Sequence, residues 1–166
     1  DWLDIFHADS AEAYGAGLLL KRVTGAIVVD VVAQRAQNGI LLHEVREAQV
    51  SDNDVSRNSG WGIALWRSSH NVLVRNKAGF NVRCVGRTYR RGCDSAALLL
   101  RHGSDSNVVV ANDLRYSGDG FFLSGHRPGL DPSNGNLVTR NDATGAYHNA
   151  FEATFSWDNS FIDNRA

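Results

Sequence analysis

The chain has 166 residues, 43% of them hydrophobic and 21% charged, the composition of one folded domain with a real core and not of a disordered segment. Its formal net charge of −1 offers no basic field, which excludes nucleic acid and anionic membrane surfaces as expected partners. No run approaches the ~18 consecutive apolar residues of a membrane span, and DWLDIFHADS at the start has no basic-then-apolar leader pattern.

The first residues, up to Tyr14, fit no repeat. From Gly17 onward the chain repeats itself. GLLLKR from Gly17, GILLHE from Gly39 and GIALWR from Gly62 superpose without a gap. ALLLRH from Ala97, GFFLSG from Gly120 and AFEATF from Ala150 take the same place. The starts lie 22, 23, 35, 23 and 30 residues apart, a basic period of 22 to 23 with two insertions. Each run after the first is followed by a polar turn, a second short apolar run (such as NVLV, NVVV, NLVT) and an Asn: Asn53, Asn76, Asn112, Asn141 and Asn164.

Within the first run, alternation at period 2 predicts a strand whose inward columns are Leu18, Ile40, Ile63, Leu98, Phe121, Phe151 and Leu20, Leu42, Leu65, Leu100, Leu123, Ala153. Runs this short cannot be useful amphipathic helices. Coils stacked as parallel strands turn these columns into one continuous core. The fixed offset of the Asn predicts a ladder of side-chain amides bonded from coil to coil. A general turn preference of Asn explains its frequency but not its offset.

The insertions span about 77–95 and 125–135. The first carries Arg83, Arg87, Tyr89, Arg90, Arg91 and both cysteines; the second carries His126, Arg127 and Asp131. Long loops on a rigid scaffold are where specificity is built, although arginines there also pair with nearby carboxylates. Cys84 and Cys93 are either a loop-closing disulfide in an exported protein or two free thiols.

GIALWRSSHNVLVRN, ALLLRHGSDSNVVVAND and GNLVTRND resemble the repeats of the right-handed parallel β-helix family, the pectate-lyase-like superfamily. The resemblance covers about residue 17 to the end. It implies an all-β, single-stranded solenoid of about six coils forming one domain over 1–166, and a secreted or periplasmic location. It also implies a groove for an extended polymer on the outward face of the first strand. SGDGFFL and NAFEATFS are similar to segments of bacterial β-helix proteins of unsettled function, so no catalytic residue is carried over with them. Neither end of the chain reads as a cap, and no Met is present, so a piece of a longer β-helix is expected.

Two columns should face that groove: Leu19, Leu41, Ala64, Leu99, Phe122, Glu152 and Lys21, His43, Trp66, Arg101, Ser124, Thr154. So apolar an outward face is either covered or used to stack sugars. Trp66 is the candidate platform, with His43, Arg91 and His126 as further substrate contacts. Asp94, Asp119 and Glu152 fall near one place on three successive coils, about 5 Å apart for neighbours and about 10 Å for next-but-one. These distances bracket the carboxylate spacings of retaining and inverting glycoside hydrolysis. Asp94 and Asp119 could equally be turn caps. Glu152 sits at a strand centre and needs a partner from Arg101, Arg91 or His148. Lyase chemistry would use a base and a charge-neutralising cation from Arg101, His43, His126 and His148.

The expected catalytic set is therefore Asp94, Asp119, Glu152, Arg101 and His148, in a monomeric enzyme acting on an acidic extracellular polysaccharide as glycoside hydrolase or lyase. A non-catalytic carbohydrate-binding or assembly module is the alternative, and a polysaccharide C5-epimerase a weaker one. No cofactor and no metal site is expected. Calcium held by Asp94 and Asp119 would be a thin site. No Cys/His spacing suits zinc, and no nucleophile elbow or phosphate loop is present.

Overall fold

The computed structural model describes residues 15–84, 94–125 and 130–166. Six longer strands, β1 (Ala16–Lys21), β3 (Asn38–His43), β5 (Trp61–Trp66), β7 (Ala96–Arg101), β9 (Asp119–Ser124) and β11 (Phe151–Thr154), form one parallel sheet in that order. Six three-residue strands, β2 (Ile27–Val29), β4 (Gln49–Ser51), β6 (Val72–Val74), β8 (Val108–Val110), β10 (Leu137–Thr139) and β12 (Ser160–Ile162), form the second. A third side is joined by single parallel bridges through Val32, Asp54, Lys77, Asp113, Asp142 and Arg165. The domain is thus a parallel β-helix of six coils. Among the described residues no helix is long and apolar enough to cross a membrane.

The register is the one the repeat predicts: Leu18, Ile40, Ile63, Leu98, Phe121 and Phe151 pair in succession. The two long steps, Ile63 to Leu98 and Phe121 to Phe151, carry the insertions. Residues 85–93 and 126–129 fall within them and outside the described residues. Ile40, Ile63, Leu98, Phe121 and their second-column partners Leu42, Leu65, Leu100 and Leu123 are fully buried. They meet Val50, Leu73, Val109 and Val138 from the second sheet and Val55, Ala78, Leu114 and Ala143 from the third side. Each such side chain contributes about 1.5–3 kcal/mol by leaving water.

Strict alternation fails at the start of each long strand. Ala96 joins an apolar cluster outside the sheet, whereas Ala97 and Leu98 both join the core. The chain bends at the small residue, which is why it is small. A Cβ on Gly39 would lie 2.5 Å from the Gly62 carbonyl oxygen and 2.7 Å from Val55 Cβ; one on Gly62 would lie 2.6 Å from the Ala97 oxygen.

The Asn ladder forms as the offset predicts. Asn53 Nδ2 donates to Asn76 Oδ1 at 2.8 Å, Asn76 to Asn112 at 2.9 Å, Asn112 to Asn141 at 2.9 Å and Asn141 to Asn164 at 3.0 Å. Each amide also donates backward, as Asn76 does to the Val50 carbonyl and Asn112 to the Leu73 carbonyl. The residue before each ladder Asn is left-handed: Asp52, Arg75, Ala111, Arg140 and Asp163 have φ between 53 and 58°. A second ladder, Asn71 to Asn107 to Asn136 to Asn159, runs beside the first at 2.9–3.1 Å. Its signal was the Asn heading NVLV, NVVV and NLVT.

Candidate functional site

Asp119 opens β9 between Gly118 and Gly120. A Cβ on Gly118 would collide with Ser95 Oγ and lie 2.5 Å from the Ser95 carbonyl oxygen, so only glycine lets the strand begin there. The backbone of the next coil is tied to this point: His148 N donates to the Gly118 oxygen at 2.9 Å and Gly120 N to the Asn149 oxygen at 2.9 Å. These bonds place His148 and Asn149 directly over Asp119.

Three groups then converge. Asp119 Oδ1 accepts the Asn149 backbone N–H at 2.9 Å and lies 2.9 Å from His148 Nδ1. His148 Nδ1 is 3.9 Å from Glu152 Oε2, which accepts from the Asn149 side-chain amide. One ligand atom each from Asp119, His148 and Glu152 lie within 4.8 Å of one another. Asp119 is buried, Glu152 partly so, and the His148 side chain is 40% exposed. Burial pushes the Asp119 carboxyl above its ordinary range and Glu152 adds to that, while the Asn149 N–H and His148 oppose it. The cluster is a one-nitrogen, two-oxygen donor set with one face open to solvent.

The remaining expected site residues lie elsewhere. Register aligns Asp119 with Ala96, so Asp94 falls two residues before the matching position and outside the cluster. Arg101 pairs with Ser124, five residues along from Ala96, about 16 Å from the Asp119 end of the strand. It does not support Glu152; its guanidinium carbon lies 6.0 Å from the Trp66 ring centre. His43, Trp66 and Arg101 form a column at the far end of the sheet, on the second, third and fourth coils. All three are buried, so Trp66 is not offered to solvent as a platform. Trp66 packs on His102 with ring centres 4.4 Å apart.

Leu41, Trp61, Ala64, Trp66, Ala96 and Leu99 make up a second buried cluster on this outward face. The expected open groove is therefore absent along the middle coils, and Phe122 is only partly buried against that cluster. Arg91 and His126 lie outside the described residues. So does Cys93; Cys84 is disulfide-bonded. Asn149, which ties the cluster together, was legible only as the residue before the small position of the last coil.

No curated protein and no solved structure matches the chain significantly. A family model described as periplasmic copper-binding protein (NosD) matches residues 7–89, half of the chain. That stretch contains the first three coils, and Asp119, His148 and Glu152 lie beyond it. The expected absence of a cofactor gains no support from such a family. Repeat, register and family match agree: the chain belongs to the NosD family of periplasmic copper-binding proteins, which is a right-handed β-helix family with an extracytoplasmic location.

Proposed function

We propose that the domain is a non-catalytic periplasmic module that binds a divalent metal ion, copper(II), through His148, Asp119 and Glu152. The convergence of their ligand atoms within 4.8 Å carries this reading. An imidazole nitrogen with carboxylate oxygens suits copper(II), which such sites bind most tightly among the first-row divalent ions. Copper(I) prefers thiolates and thioethers; the sequence has no Met, and among the described residues no cysteine is free. Burial disfavours the charged form of the Asp119 carboxyl, and a cation beside it would offset that. The Asn149 N–H orients Asp119, and the Asn149 side chain holds Glu152. Histidine and carboxylate ligands bind a metal in their unprotonated forms, so affinity should rise with pH. The burial of Leu41, Trp66, Leu99 and Arg101, which removes a long open groove, favours a module over a polymer-cleaving enzyme. Calorimetric titration with copper(II) should give one tight site, with nitrogen hyperfine structure in the EPR spectrum. Loss of both in His148→Gln and Glu152→Gln is the expected result. Undiminished binding in both variants would overturn the assignment.

One observation favours a second reading on the same residues. Asp119, held toward its protonated form beside Glu152, resembles the acid of a glycoside hydrolase or the proton donor of a polysaccharide lyase. New reducing ends from an acidic polysaccharide, lost in Glu152→Gln, would establish it. No product from any polymer would leave the binding module.

A further inference from the structure

We propose that the outer face of the second sheet is a self-association surface, on which a second copy of the chain packs antiparallel to the first. Each strand of that sheet has three residues, and the middle one points into the core, as Val28, Val50, Leu73, Val109 and Val138 do. The residues on either side therefore point outward. On β2, β6 and β8 they are Ile27 and Val29, Val72 and Val74, Val108 and Val110. β10 and β12 add Leu137 and Ile162, and β4 places Gln49 and Ser51 among them. Of the twelve outward positions, two on each of six strands, none is charged.

This face is open to water. Ile27, Val29, Val72 and Ile162 are 74, 47, 38 and 50% exposed. A parallel sheet is ordinarily covered on both sides. The first sheet follows that rule, with Leu41, Trp66 and Leu99 buried outside it; the second sheet does not. A β-branched face of this kind packs on another sheet with the side chains of the two interdigitated.

Charges at the rim select the occupant and its orientation. The corner after the strands carries Asp30, Asp52, Arg75, Ala111, Arg140 and Asp163, one per coil. Their register is fixed: Asp52 N donates to the Val74 oxygen, Arg75 N to the Val110 oxygen and Arg140 N to the Ile162 oxygen. The corner before the strands carries Glu47 on the second coil, His70 on the third and Asp158 on the sixth. Two copies related by a two-fold axis along the strands run antiparallel, the second coil of one over the fifth of the other. Asp52 then faces Arg140 on both sides of the axis, and Val72 and Val74 oppose Val108 and Val110. Arg140 is exposed and has no ion pair among the described residues. Only the outermost pair, Asp30 over Asp163, is of like sign, and the crossing of packed sheets carries the ends apart. A two-fold axis along the helix would instead set Asp52 over Glu47 and Asp163 over Asp158, like charges in both cases.

Six overlapping coils by the width between the two corners give an area of about 24 Å by about 16 Å, or about 400 Å² per copy. That falls below the roughly 1,200–2,000 Å² total of lasting complexes, so the dimer is reversible and concentration-dependent. An apolar face also suits a membrane, but Asp30, Glu47, Asp52, Asp158 and Asp163 at the rim, against Arg75 and Arg140, repel an anionic one. Asp119 and Glu152 lie on the first sheet, so the metal site stays open in this dimer and the proposal rests on no metal.

The test is sedimentation velocity of the full chain, with EDTA, from low micromolar to near-millimolar concentration. The expected result is a shift from monomer to dimer. Val72→Lys with Val108→Lys should weaken dimerisation at least about tenfold, because lysines then meet across the axis. Asp52→Arg and Arg140→Asp should each remain monomeric where wild type is dimeric, and their equimolar mixture should dimerise again. Both swaps use residue types that this corner already holds at positive φ, Arg75 at 54° and Asp30 at 56°. Circular dichroism and melting temperature check that each variant folds. A monomer at every concentration would overturn the proposal, and flotation of that monomer with phosphatidylcholine vesicles would assign the face to a membrane. Association unaffected by the two lysines, or a mixture that associates no better than its components, would overturn it equally.

Discussion

His148 Nδ1 lies 2.9 Å from Asp119 Oδ1, with Asp119 buried and His148 half open to solvent. The pair joins a residue that opens one coil to a residue that precedes the next, and its energetics depend on pH. Burial, the largest influence, raises the Asp119 pKa in the fold. The native state therefore binds this proton more readily than the unfolded chain. Asp119 favours the fold at pH below the ordinary carboxylate range, and that contribution is lost as pH rises through the raised native value. Urea unfolding at about pH 4 and pH 7 should show wild type losing more stability across this interval than Asp119→Asn. Equal slopes in the two proteins would remove the basis for the raised pKa.

Copper(II) should reverse that loss at neutral pH. A ligand at a hundredfold its Kd stabilises by about 2.7 kcal/mol, provided it binds only the native state. The rise in melting temperature on adding copper(II) should vanish in His148→Gln. A shift of the same size in that variant would mean that another group holds the metal.

On the third side the sign is opposite. The Asp113 carboxyl is pulled below its ordinary range by its bond to Arg115. Asp54 is depressed further: burial works against it, but Ser56, Lys77 and Gln34 outweigh that. These groups stabilise the fold above the ordinary carboxylate range, and their contribution is lost as pH falls through the depressed native values. Asp54→Ala should flatten the acid limb of the stability profile below about pH 4 and leave the limb governed by Asp119 unchanged. A profile with both limbs altered would indicate that the two carboxylates are coupled.

Removing a ladder amide from the middle should cost far more than removing one from an end. Asn112→Ala orphans donors or acceptors on Asn76, Asn141 and Leu73 in a buried strip, for about 2–4 kcal/mol. Asn164→Ala affects only Asn141 and Val138 and should cost about 1 kcal/mol. Chemical denaturation of both variants decides it; equal losses would mean that the ladder follows the fold and does not hold it.

Gly62→Ala and Gly103→Ala separate close approach from backbone strain. The new methyl at 62 meets Asn81 Nδ2 at 2.5 Å, the Ala97 oxygen at 2.6 Å and Ala78 Cβ at 3.0 Å, for about 1–3 kcal/mol of overpacking. At 103 it meets nothing within 4 Å, and only the left-handed backbone resists it, by about 1–2 kcal/mol. Reduced soluble yield or altered near-UV dichroism should therefore appear for Gly62→Ala alone.

The columns Leu18 to Phe151 and the ladder Asn53 to Asn164 were legible because a repeat states the same constraint six times. The bend that turns Ala96 outward while Ala97 and Leu98 both face in was not, because period-2 counting assumes a straight strand. Asp119, His148 and Glu152 could be placed together since the repeat gives their coil and approximate height. Asp94 lies three residues before the small residue of its coil, Ala97, whereas Asp119 lies one before Gly120, so the two-residue offset between them is written in the repeat itself. The burial of Trp66 and Arg101 was one of two readings of so apolar an outward face, and the repeat did not choose between them. Whether an outward column meets solvent depends on what packs over it, and no periodicity within the coil encodes that.

The double reach of the ladder amides has a consequence for how the molecule comes apart. Asn76 is bonded at once to the coil before it and the coil after it, so an inner coil cannot detach without breaking its ties on both sides. Opening one such coil loosens its neighbours in both directions, so loss of structure should spread along the ladder through the shared amides of Asn76 and Asn112 and not stop at a coil boundary.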